Sequence, residues 1–160
     1  MKKLKKYKCE NCDRPINHQG KCLKCNSIVK HEREYFINHL LSKILNIEAI
    51  DHKKIQIEIK DILTKAGYYV EIEKKIKAKR SGKIDLFTER NNFSIGIEID
   101  HSVMRWKSID KLNTLKANLS IYILKSRNIN IKRTKSRLNL IKTKTILIYL
   151  SNKHIRKINL

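Results

Sequence analysis

The chain has little of what keeps a polypeptide irregular: one proline and four glycines in 160 residues. That scarcity excludes collagen-like and low-complexity readings. No apolar run approaches the ~20 residues that span a bilayer, so no membrane is expected as a partner. Met1 to Cys25 contains no apolar stretch of signal-peptide length. The expectation is a cytoplasmic protein (host cytoplasm, if viral or mobile-element encoded) with reduced thiols. Acids are also scarce: 15 Asp and Glu face 37 Lys and Arg, a formal net charge of +22. AT-rich codons account for lysine outnumbering arginine, but not for the missing acids. A folded domain carries such self-repulsion most readily beside a polyanion, which points to nucleic acid. Apolar residues make up 41%, enough for one ordinary core and a small appendage.

The four cysteines fall in two close pairs. Cys9-Glu-Asn-Cys12 and Cys22-Leu-Lys-Cys25 read as two knuckles, each placing two thiolates on a tight turn. Together they complete a tetrahedral sulfur shell for structural Zn²⁺. Residues 1–30 therefore read as a zinc ribbon, too small to fold without its metal. His18 and His31 are spare donors, expected at the surface. Lys2, Lys3, Lys5, Lys6 and Lys8 suit phosphate contact.

Residues 31–46, within a connecting segment 31–50, place Tyr35, Phe36, Leu40, Leu41, Ile44 and Leu45 at helical spacing. A second helix over residues 52–66 carries an apolar stripe of Ile55, Ile59, Ile62, Leu63 and Ala66. Gly67 stops it, and Glu58 borders the stripe. Strands follow at residues 69–77, 83–89 and 94–100, with Arg80-Ser81-Gly82 and Asn91-Asn92 as turns. In the third strand Ile95, Ile97 and Ile99 share one face, and Gly96, Glu98 and Asp100 the other. Asp85 of the neighbouring strand can join the two carboxylates. Converging carboxylates repel one another without a cation, and hard oxygen donors select Mg²⁺ or Mn²⁺. Residues 103–119 read as a helix with Ile109, Leu112, Leu115 and Leu119 on its core side and Trp106 in the core. Strands at 120–124 and 145–150 complete the chain, with a basic segment between them.

Gly82-Lys83-Ile84-Asp85-Leu86-Phe87, then Ile97-Glu98-Ile99-Asp100, resembles the Gly-x-x-Asp-Leu…Glu-x-Lys signature of the PD-(D/E)xK, or restriction-endonuclease-like, nuclease superfamily. The element order over about residues 53–124 is similar to that family's core. The resemblance implies an α/β fold with an αβββαβ core in residues 51–160. It also implies Asp85 and Glu98 as Mg²⁺ or Mn²⁺ ligands, and Glu58 as the helix carboxylate of some branches. The departure is at Asp100, where the family usually has lysine. An aspartate can hold a second metal but cannot stabilise charge at the phosphate. Some branches carry the lysine on the next helix; Lys107 is the first choice for that role and Lys111 the second, while Arg105 can meet the scissile phosphate.

The expected function is Mg²⁺-dependent endonucleolytic hydrolysis of DNA, with Asp85, Glu98, Asp100, Lys107 and Glu58 catalytic. Lys111, Arg105, Lys125, Arg127, Lys132 and Arg133 are the expected nucleic-acid contacts. The partners are nucleic acid, DNA ahead of RNA, and a second copy of the chain as a homodimer. Two alternatives use the same features: a nuclease-fold protein that binds without cutting, and a basic protein that inhibits a nucleic-acid enzyme by occupying its channel.

Overall fold

The computed structural model describes residues 7–10, 12, 14–16, 20–48, 51–77 and 82–160. Lys2, Lys3, Lys5, Lys6, His18 and the Arg80-Ser81 turn lie outside the described residues. The chain divides into two compact units, Met1–Leu41 and Ser42–Leu160.

In the first unit β1 (Tyr7–Lys8) pairs antiparallel with β2 (Pro15–Ile16). The long helix α1 (Leu23–Leu45) then starts, well before residue 31. Apolar spacing could not place that start, because the first turns are not held by packing: Leu23 and Ile28 are exposed. Tyr35 is exposed as well, at 77%, and stacks on His39 one turn later. The apolar side of α1 is confined to Leu40, Leu41 and Ile44.

The second unit opens with α2 (His52–Lys65). Asp51 caps it, accepting the backbone N–H groups of Lys53 and Lys54 at 2.9 and 3.0 Å. Gly67 ends it at φ +78°, and the Tyr68 N–H returns to the Leu63 carbonyl at 3.0 Å. There follow β3 (Tyr69–Ile76), β4 (Gly82–Arg90), β5 (Phe93–Asp100), α3 (Trp106–Leu115), β6 (Leu119–Leu124), α4 (Ile131–Leu138), β7 (Thr145–Tyr149) and β8 (His154–Ile158). Among the described residues the result is a mixed α/β arrangement with four α-helices and a six-stranded sheet ordered β3-β4-β5-β6-β7-β8.

Asn91 and Asn92 both have positive φ, as a two-residue hairpin between β4 and β5 requires, and asparagine tolerates it. The β5–β6 and β6–β7 pairs are parallel and therefore need crossovers, which α3 and α4 supply. Every residue of β6, and all of Ile95 to Asp100 in β5, is buried, because both faces of these central strands are covered. At Gly96 a Cβ would lie 2.4 Å from Leu115 Cδ2, so α3 seats on the face that also presents Glu98 and Asp100.

Several expectations are corrected here. The third helix is shorter than 103–119, since Lys116 turns left-handed at φ 52° and Leu119 already belongs to β6. Trp106 is 54% exposed, with the Arg137 guanidinium 5.4 Å above its ring. α4 was hidden in the basic segment because only Thr134 of its eight residues is buried, leaving no stripe to read. β8 is a partly exposed edge strand, with too weak an alternation to announce itself.

Candidate active site and metal cluster

The sulfur atoms of Cys9, Cys12, Cys22 and Cys25 all lie within 4.8 Å of one another. Regular tetrahedral zinc with Zn–S near 2.3 Å would set sulfurs about 3.8 Å apart. Cys12 and Cys22 stand at 3.7 Å, so the donor set fits zinc in both chemistry and spacing. The second pair is not a β-turn knuckle as expected. Cys22 immediately precedes α1 and Cys25 lies in its first turn, so half of the cluster is built on a helix end. The Cys22 N–H donates to Cys9 Sγ at 3.2 Å. Hydrogen bonding to Cys12 and Cys22, with a smaller effect of burial, pushes the Cys25 thiol up to about 12. Four thiolates cannot share this volume without a cation.

The other cluster forms where strand pairing stops. The ladder between β4 and β5 runs from Arg90↔Phe93 to Leu86↔Ile97 and no further. Beyond that point the backbone donors are met by carboxylates. The Asp85 N–H donates to Glu98 Oε1 at 3.3 Å, and the Ile99 N–H donates to Asp85 Oδ2 at 2.7 Å. Asp85 is skipped in the β3 ladder too, opposite Glu73, whose φ is +51°. The two acids thus sit side by side at a break in the sheet, Glu98 fully buried and Asp85 partly so. Burial first, and then the Asp85 charge, push Glu98 up to about 7. Burial likewise raises Asp85.

Lys111 reaches this pair from α3. Its ammonium lies 2.5 Å from Glu98 Oε1 and donates to the Lys83 carbonyl at 2.8 Å, with the residue only 6% exposed. Lys107 is exposed. The helix phase explains the difference. Ser108, Leu112 and Leu115 face the sheet; at about 100° per residue Lys111 lies about 60° from Ser108 and Lys107 about 100°. The Ser108 hydroxyl of α3, buried like Glu98, is a further donor beside that carboxylate.

Asp100 is placed differently. It is 2% exposed; the Arg105 Nε–H donates to Oδ1, and the Tyr122 hydroxyl and the Arg105 N–H donate to Oδ2, the last at 3.1 Å. Its lone pairs are largely taken by these donors, which fix the bend from β5 into α3. Burial and the Asp100 charge push the Tyr122 hydroxyl well above its ordinary range, so it stays a donor. Glu58 is exposed on α2 and is not brought to the carboxylates. The buried side of α2 is centred between Ile55 and Gln56, Ile59 and Leu63, which turns Glu58 about 115° away.

From α2 the site receives two residues that sequence reasoning passed over. His52 Nε2 lies 3.5 Å from Asp85 Oδ1, and Gln56 Nε2 approaches the Asp85 carbonyl at 3.5 Å. A buried glutamine within an apolar helical stripe was the available signal. An open pocket of about 290 Å³ follows the end of β5, lined among others by His52, His101, Arg105 and Lys125. Arg127, Lys132 and Arg133 are exposed, the latter two on α4. No described helix is long and apolar enough to cross a membrane.

No family model matches the chain, and no curated protein does. Among solved structures it is similar to the protein of unknown function AF1548, with TM-score 0.39 and 13% identity over 56% of this chain and 54% of that one. It is also similar to Pyrococcus furiosus SfsA, solved in complex with Ca²⁺, with TM-score 0.34 and 14% identity over 66% of this chain and 62% of that one. The chain thus spans less than two thirds of the length of either structure.

Proposed function

We propose that the chain is a metal-dependent nuclease of the PD-(D/E)xK kind that hydrolyses DNA phosphodiesters at Asp85 and Glu98. The observation that carries this reading is the juxtaposition of Glu98 and Asp85 at the break in the sheet, with the Lys111 ammonium against Glu98. Two carboxylates side by side, one buried and one partly buried, repel one another unless a cation joins them, and that repulsion helps push Glu98 up to about 7. The order α2-β3-β4-β5-α3-β6 and the net charge of +22 support it. Asp85 and Glu98 would hold Mg²⁺ or Mn²⁺ through their carboxylates. When bound, the ion supplies Lewis acidity and a water of lowered pKa.

The chain's own residues do the rest. Lys111, held between Glu98 and the Lys83 carbonyl, takes the role of the motif lysine and offsets charge developing at the phosphate. Asp100 is a positioning residue rather than a ligand: it fixes the bend that presents Arg105. His52, His101 and Lys125 line the pocket into which the phosphate enters. The four-cysteine cluster holds structural zinc.

The test is cleavage of plasmid DNA with Mn²⁺ by the wild type and by Asp85→Asn and Glu98→Gln. Both substitutions should abolish cleavage and leave DNA binding without added Mg²⁺ or Mn²⁺ intact. Cleavage indifferent to both would overturn the assignment.

A further inference from the structure

A second cleft, of about 380 Å³, opens where the end of β7, the start of β8 and α4 come together. Tyr149 and His154 form one wall. They are cross-strand partners in the β7–β8 ladder, with ring centroids 5.6 Å apart and planes tilted by 33°. Ile129 and Ile131 add apolar lining, and Ile131 is 57% exposed at the start of a helix that is otherwise basic. Arg127, Lys135, Arg156 and Asn152 complete the lining, and no carboxylate contributes to it. Among the described residues none of these three cations is engaged in an ion pair. By contrast Arg105, Lys111, Lys74 and Lys83 are each held by an acid. An aromatic and apolar recess rimmed by free cations fits a ligand that is flat at one end and anionic at the other.

The sheet ties this cleft to the carboxylates. Asp100 pairs with Leu124, Leu124 with Tyr149, and Tyr149 with His154, one row across the end of the strands. With neighbouring strands ~4.8 Å apart, Tyr149 lies about 10 Å along that row from Asp100. Ligands of open α/β sheets gather at this carboxyl edge of the parallel strands. A base can reach an aromatic wall only when it is out of a duplex stack.

We propose that this cleft binds one unpaired nucleotide of a single-stranded nucleic acid, with its base against Tyr149 and His154 and its phosphates on Arg127, Lys135 and Arg156. The substrate of the carboxylate site is then single-stranded, or carries a single-stranded segment there. This deepens the nuclease reading and rests on its nucleic-acid partner, but not on its metal.

The experiment is fluorescence polarisation with the full chain in buffer without added Mg²⁺ or Mn²⁺. Three probes are compared: labelled oligothymidylate of about twelve nucleotides, within the known range of single-strand site sizes, an abasic strand of equal length, and a duplex. His154→Ala alters an exposed side chain, and Tyr149→Leu keeps bulk toward the core. Each should weaken oligothymidylate binding about 5- to 100-fold, the cost of one base–aromatic stack. Neither should change binding of the abasic strand or the duplex. If His154→Ala leaves oligothymidylate binding unchanged, or weakens all three probes alike, the cleft does not read a base and the proposal fails. A wild type that binds none of the probes would overturn the nucleic-acid reading itself.

Discussion

Glu98 is held by the Lys111 ammonium and has the buried Ser108 hydroxyl, from the same helix, as a neighbour, while Lys107 turns to solvent. That asymmetry separates the two candidate lysines. Lys111→Ala should lower the cleavage rate ~10²–10³-fold, the usual loss for one charge-stabilising donor. Lys107→Ala, which removes an exposed side chain, should leave initial rates at saturating Mn²⁺ nearly unchanged; the reverse ranking would return the role to Lys107. The same residue sets a pH dependence. Glu98 is raised from 4.5 to about 7, so the folded state holds its proton more tightly than the unfolded chain does. Its contribution to stability is fully present below pH 4.5 and is lost as pH rises through 7. Thermal melts without added Mg²⁺ or Mn²⁺ should therefore fall across that window, and added Mn²⁺ should stabilise more at pH 8 than at pH 5.5. Glu98→Gln should flatten both trends. Asp51 and Glu73 do not blur the window, because local hydrogen bonds and Lys83 respectively lower them. Asp85, Glu98 and Asp100 were legible as acids in alternating strands. That Asp100 is occupied by Tyr122 and Arg105 was not, because Tyr122 lies on another strand.

At the scale of elements, α1 has two different supports. Its C-terminal turns bury Leu40, Leu41 and Ile44, while its first turn carries Cys25 beside Cys22. Strong chelation, or Cys22→Ser, should therefore raise amide exchange in β1, β2 and the first turns of α1, and leave β4 and β5 protected. Zinc analysis of untreated protein should give about one equivalent per chain, as a closed four-thiolate site requires. An unchanged exchange map after complete metal removal would show that the cluster does not hold these elements. Strands β3 to β5 could be read from alternation and turn residues. α4 could not, since a helix with one buried residue carries no apolar period.

At the scale of the whole molecule the dominant quantity is charge. If six to ten phosphates are contacted, affinity for DNA should fall about 10³- to 10⁵-fold between 50 and 200 mM salt. Arg127→Glu, Lys132→Glu and Arg133→Glu combined should flatten the slope of log affinity against log salt. A response already flat in the wild type would mean that phosphates are not the partner.

Composition, cysteine spacing and periodicity by themselves determined that this chain is basic, alternates helices with strands and pairs its four cysteines within its first 25 residues. Net charge, cysteine spacing and residue periodicity are local or additive, so no folding is needed to read them. The choice of Lys111 over Lys107, the withdrawal of Glu58 from the site and the arrival of His52 were decided only by tertiary structure. Each depends on the angle at which a helix meets the sheet. That angle is set by contacts such as Leu115 over Gly96, between residues distant in the sequence, and no spacing along the chain encodes it.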